Sequence, residues 1–93
     1  MATKNNNLSD YNKDSLPNVS NLKFGVVVSQ WNKEITEGLY KGAYSTLIDC
    51  GVLEENIKKL EVPGSFELIF GAKILSRKDI DAIICLGSVI QGE

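Results

Sequence analysis

Hydrophobic positions along this chain switch between unbroken runs and helical spacing. Phe24-Gly25-Val26-Val27-Val28 is a near-continuous, β-branched run, the pattern of a strand buried on both faces. After Ser29-Gln30-Trp31-Asn32, the apolar residues Ile35, Leu39, Ala43 and Leu47 recur every four positions and predict one face of a helix. Asn32 is its expected N-cap, and Gly51 falls where a left-handed C-terminal cap is common. Gly38 and Gly42 read as glycines tolerated within a packed helix, although they would also let its backbone approach a neighbour. Ile57 to Val62 has mixed polarity and reads as an edge strand. Phe66 to Ser76 is apolar over most of a helical circumference, which predicts a mostly buried second helix. Ala82-Ile83-Ile84-Cys85-Leu86 is a third strand, and Gly87 to Glu93 leaves its end as a glycine-bracketed loop.

The alternation β-α-β-α-β calls for a parallel sheet with right-handed crossovers. A doubly wound order 2-1-3 puts the helices on opposite faces, with the topological switch point between the first and third strands. Loops 29–32, 63–67 and 87–93 then leave the same sheet edge, so Trp31, Glu67, Ser88 and the last loop's backbone are expected to converge. Residues 1–22, rich in Asn, Ser, Asp and Lys, form a polar N-terminal arm or tail ahead of the folded part, 23–93.

The junction Val62-Pro63-Gly64-Ser65-Phe66-Glu67 turns a strand into a helix within a few residues. Proline presents no N–H and ends the strand, Gly64 permits a backbone that a Cβ would hinder, and Ser65 is the expected helix cap. Glu67 lies in the first helical turn. There a carboxylate either partners the helix dipole or accepts hydrogen bonds from ligand hydroxyls.

Composition narrows the chemistry. The chain has 93 residues, 43% of them hydrophobic, and a net charge of -2, which fits one small globular domain and lacks the basic excess of a nucleic-acid binder. Lys58-Lys59 reads as a solvated face. No apolar run is long enough to cross a bilayer and no signal core follows Met1, so a cytoplasmic location is the expectation. Cys50 and Cys85 read as reduced, core-like thiols, and no metal site is expected. Histidine is absent, which removes the commonest proton shuttle near neutral pH. The phosphate-binding glycine motifs are absent too, and neither Ser65 nor Ser88 sits in a nucleophile elbow. Trp31, just past a strand end, either covers the core or stacks on a planar ligand. The polar groups expected around it favour a flat heterocycle with a polyhydroxylated tail.

Phe24 to Val28 leading into Trp31-Asn32, then Val62 to Leu68, then Leu86 to Glu93 resemble, in order and spacing, the 6,7-dimethyl-8-ribityllumazine synthases of riboflavin biosynthesis. The resemblance implies a flavodoxin-like, three-layer α/β/α fold whose fourth strand is missing from this chain. It also implies condensation of 5-amino-6-(D-ribitylamino)uracil with 3,4-dihydroxy-2-butanone 4-phosphate, without metal or other cofactor. Trp31, with Asn32 beside it, stands where the family stacks an aromatic on the pyrimidine. Ser65, Phe66 and Glu67 match the stretch along the ribityl chain. Ser88, Val89 and Ile90 match the loop that reads the uracil edge, and Glu93 matches the start of the segment approaching the phosphate-bearing ketone. Gln91 replaces a basic residue common in the family.

The family's catalytic histidine lies beyond Glu93, so this chain looks like the N-terminal part of a synthase and is expected to be inactive alone. The family forms homo-oligomers, pentamers or icosahedral shells, with active sites shared between subunits. A non-catalytic, flavodoxin-like flavin-binding module and a shell-forming subunit are the alternative readings.

Overall fold

The computed structural model describes residues 10–91. Its centre is a sheet of three parallel strands, β1 (Phe24–Ser29), β2 (Ile57–Val62) and β3 (Ala82–Leu86), in the order β2-β1-β3 that the alternation predicts. Phe24 lies opposite Ile57 on one side and Ala82 on the other. Val26, Val27 and Val28 are buried because strands close both edges of β1 and a helix covers each face. β2, at an edge, leaves Lys58, Lys59 and Glu61 exposed and buries Val62.

The helices are α1 (Lys33–Asp49) and α2 (Glu67–Ser76). They cover opposite faces of the sheet. Ile83 packs with Val27, Val62 and Leu75 beneath α2, whereas the next residue, Ile84, lines a groove beneath α1. The arrangement is flavodoxin-like. Gly71 lets α2 press onto the sheet, since a Cβ there would meet Val27 Cγ1 at 2.6 Å and Val62 Cγ1 at 3.0 Å. Gly38 and Gly42 have open space where a Cβ would stand, so neither serves a close approach.

Both helices depart from their predicted faces. In α2 the covered positions are Leu68, Gly71, Ala72 and Leu75, spaced i, i+3, i+4 and i+7, while Ile69 and Phe70 are exposed. Apolar residues surround this helix, but the sheet covers only one stripe of it. In α1 the inward line runs through Thr36, Tyr40, Ala43 and Leu47, and Ile35 and Leu39 are exposed. A four-residue spacing overshoots the 3.6-residue turn by about 40° a step, so a row from Ile35 to Leu47 winds about 120° around the helix.

The end of α1 matches the expectation. Gly51 adopts φ 100°, its N–H donates to the Ile48 carbonyl (3.0 Å), and the N–H of buried Val52 donates to that of Leu47 (3.0 Å), a Schellman ending. Cys50 and Cys85 are both free, yet Cys85 is exposed and not core-like. It lies on β3, an outer strand with no further strand beside it among the described residues. Lys59 also does more than face water. Its Nζ donates to Glu37 Oε1 (2.9 Å) and lies 4.4 Å from the Tyr40 ring centre, tying the β2 edge to α1.

The described part of the N-terminal arm is fastened to the end of α1. Tyr11 Oη donates to Asp49 Oδ2 (2.6 Å) and Lys13 Nζ to Asp49 Oδ1 (3.2 Å). These bonds hold the Asp49 carboxyl below its usual range, Tyr11's first and Lys13's second, and the bond to Asp49 pushes the Tyr11 phenol up to about 12. A lowered carboxylate supports docking above its unfolded value and loses that support as pH falls through its folded value. A raised phenol supports docking below its ordinary 10.0 and loses it on approaching 12. Arm docking is therefore expected to weaken at both extremes and at high salt, because the groups are exposed. Amide exchange across residues 10–22 as a function of pH measures it. Protection factors, the intrinsic exchange rate at each pH divided by the observed one, that stay flat down to pH 2 would show that Asp49 does not hold the arm.

Candidate functional site at the carboxyl edge of the sheet

Three loops leave the carboxyl ends of the strands, and hydrogen bonds knit them together. The ladder between β1 and β2 continues past the strands as Gln30 N–H donates to the Val62 carbonyl (2.7 Å) and Trp31 N–H to that of Pro63 (3.0 Å). The third loop joins through Ser88. Asn32 Nδ2 donates to Ser88 Oγ (3.3 Å), and Ser65 Oγ donates to the Ser88 carbonyl (3.1 Å). Ser88 is thus the point at which the first and second loops both meet the third.

Neither predicted helix cap works through its side chain. Asn32 does occupy the N-cap position of α1, but at φ 61°, ψ 50°, with its amide turned to Ser88. Asparagine is among the few residues that enter the left-handed region readily. Its carbonyl accepts from the N–H groups of Ile35 and Thr36. At α2 the cap position is Phe66, one residue later than expected. The Glu67 and Leu68 N–H groups are taken by the Gly64 and Ser65 carbonyls, at 3.1 and 3.2 Å, which leaves the Ser65 hydroxyl free to bridge to the third loop.

Trp31 is half covered, at 48% exposed, and Phe66 is 88% exposed. Val89 and Ile90 are exposed as well. Glu67 sits in the first turn of α2, with Oε1 3.1 Å from where a Gly64 Cβ would stand, so a side chain at 64 would crowd the carboxylate. At Gly87 a Cβ would lie 2.7 Å from Leu68 Cδ1 and 3.0 Å from Ser65 Oγ. The third loop thus runs close to the junction, and a side chain at 87 would displace Leu68 and crowd the Ser65 hydroxyl. Glu93 lies outside the described residues.

Ser29, expected to open the first loop, 29–32, is instead the last residue of β1, paired with Val62. It is fully buried, and its hydroxyl has no hydrogen-bond partner among the described residues. A groove of about 490 Å³ lies elsewhere, between the arm, α1 and β3, and none of the expected site residues lines it. Its lining includes Leu16, Gly42, Ala43, Leu47 and Ile84, whereas the convergent polar groups lie at the carboxyl edge. Among the described residues no three His, Cys, Asp or Glu side chains gather as metal ligands, and no helix is long and apolar enough to cross a membrane.

Residues 21–93 match the family model for 6,7-dimethyl-8-ribityllumazine synthase. The chain belongs to the lumazine synthase family. Over the whole of this chain, the lumazine synthase of Flavobacterium johnsoniae is 56% identical, that of Christiangramia forsetii 54% and that of Porphyromonas gingivalis 44%. The chain covers 50%, 56% and 58% of those proteins respectively, so it spans little more than half the length of the lumazine synthases it matches. The family match takes in β1, β2, β3 and the three loops that leave them.

Proposed function

We propose that this chain provides the uracil- and ribityl-binding part of a lumazine synthase. The enzyme condenses 5-amino-6-(D-ribitylamino)uracil with 3,4-dihydroxy-2-butanone 4-phosphate to 6,7-dimethyl-8-ribityllumazine, with loss of phosphate and water. One observation carries the reading: within a chain of this family, two loops hydrogen-bond to Ser88 of the third at the switch point of a parallel sheet. Trp31 and Asn32 lie on the first loop, with the Trp31 ring stacked on the pyrimidine. Ser65, Phe66 and Glu67 line the ribityl chain, where the Glu67 carboxylate accepts hydroxyl hydrogen bonds beside the positive end of α2. Backbone groups of Ser88, Val89 and Ile90 read the uracil edge, and Glu93 begins the segment toward the ketone phosphate.

Exposed Phe66, Ile69, Phe70, Val89 and Ile90 on and near this edge support a homo-oligomer, a pentamer or a larger shell, in which a neighbouring subunit completes each site. The enzyme works in the cytoplasm on small soluble substrates, and its chemistry uses no metal or cofactor.

Trp31 supplies the test. Stacking contributes about 0.5–1.5 kcal/mol beyond area burial, so Trp31→Ala in the full-length protein is expected to weaken ribitylaminouracil binding by roughly tenfold or somewhat more. Trp31→Phe is expected to keep most of the affinity. Calorimetric titration, with unfolding curves on the same samples, reads both effects. A folded Trp31→Ala protein that binds the uracil as the parent does removes Trp31 from the site.

A further inference from the structure

Ser29 ends the central strand, and among the described residues its Oγ is the buried side-chain polar atom that lacks a hydrogen-bond partner. Buried hydroxyls are nearly always bonded, so an orphan at the head of a ligand-binding edge calls for a cause. Its place in the sheet suggests one. Side chains alternate along β1, and Val27 packs beneath α2, so Ser29 points to that same face.

On one side Ser29 pairs with Val62. On the other, the ladder ends at Val28 opposite Leu86, and the next position across is Gly87. The backbone of Gly87 and Ser88 is therefore released from the sheet beside the Ser29 hydroxyl. On the same face stands the Ser65 hydroxyl, 3.0 Å from where a Gly87 Cβ would be and already bonded to the Ser88 carbonyl. Two serine hydroxyls thus flank the root of the third loop, one bonded to it and one not.

We propose that Ser29 is a positioning residue for this site: its hydroxyl takes a hydrogen bond from or to the 87–88 backbone only when the loop closes on the bound ribitylaminouracil. This rests on the function proposed above. Ser29 has no exposed surface with which to meet a ligand. It acts through the loop, stabilising the bound arrangement over the free one, and such a difference between states is what couples a remote group to affinity. In the free protein the hydroxyl is a net cost, which Ser29→Ala would relieve.

The experiment uses the full-length protein, its Ser29→Ala variant and Ser29→Cys, which is slightly larger and donates only weakly. Titrations with 5-amino-6-(D-ribitylamino)uracil, ligand-free melting curves and amide exchange at residues 87–91 with and without ligand are compared. One hydrogen bond present only in the bound state corresponds to about a five- to tenfold loss of affinity in Ser29→Ala. Its ligand-free melting temperature is expected to equal or exceed the parent's, with less ligand-induced protection of the loop, and Ser29→Cys is expected to fall between. Affinity within twofold of the parent overturns the proposal. So does a lower ligand-free melting temperature, or a failure of Ser29→Ala to fold, because either shows a hydroxyl already bonded in the free state. A parent protein that does not bind the uracil at all defeats the proposed function instead.

Discussion

Residues 1–93 on their own are expected to form no 6,7-dimethyl-8-ribityllumazine above the uncatalysed rate. Joining an amine to a ketone and then expelling phosphate and water requires protons to move to and from nitrogen and oxygen several times. The chain has no histidine, and Glu67 is the one carboxylate among the expected site residues within the described range. A positioned acid or base is commonly worth about 10²–10⁴ in rate, and electrostatic stabilisation of developing charge about 10²–10³ more. Among the expected site residues that are described, only Glu67 has a side chain that ionises as an acid or base near neutral pH. Absorbance of the lumazine product, followed with protein purified from a host lacking its own synthase, measures this. Steady turnover would mean that Glu67 or a backbone group suffices as the proton carrier.

The largest expected loss of stability from a single substitution is at Gly71. Its absent side chain faces two buried valines, with Val27 Cγ1 2.6 Å and Val62 Cγ1 3.0 Å from an ideal Cβ. Neither neighbour is the loose end of a long side chain, so α2 itself must lift from the sheet. Overpacking of this kind costs about 1–3 kcal/mol for a small addition, while the better helix propensity of alanine returns up to about 1 kcal/mol. Gly71→Ala is thus expected to be destabilised by about 1–2 kcal/mol, and Gly71→Val by more than about 3 kcal/mol, since its branch adds two further clashing groups. Gly38→Ala and Gly42→Ala, where nothing lies within 4 Å, are expected to gain up to about 1 kcal/mol. Urea unfolding of the four variants against the parent checks both halves. A neutral Gly71→Val would mean that α2 packs less closely than described.

The contrast between these glycines illustrates what sequence pattern can carry. β1 and β3 have the bounds their apolar runs announce, to within one residue, because strands inside a parallel sheet need unbroken hydrophobicity. Strand order follows from connection rules that leave few alternatives. Coverage is harder to read. An apolar circumference records what a helix is able to bury and not what stands against it, so Ile69 and Phe70 of α2 look buried in sequence and are exposed in the structure. Loop residues pose the same difficulty. Asn32 and Ser65 have cap chemistry, yet each uses its side chain on Ser88, a partner 56 and 23 positions away. Convergence of the loops was legible from topology. Ser88 as their meeting point was not, and neither was the orphaned hydroxyl of Ser29, since nothing in the residue type tells a buried serine from an exposed one.

The central position of β1 also sets a timetable for synthesis. The strand emerges early, but the segment that closes its second edge is anchored where Lys23 N–H meets Asp81, 58 positions later. At roughly 5–20 residues per second on the ribosome, the β3-facing edge of this strand waits roughly 3–12 s to be closed, long after β2 is available to its other edge. Until then Phe24-Gly25-Val26-Val27-Val28 is a β-prone stretch with at least one open edge on a nascent chain. Folding of this domain accordingly depends on long-range closure, the slow route for parallel sheets, and gives holdase chaperones a defined segment and a defined interval in which to act.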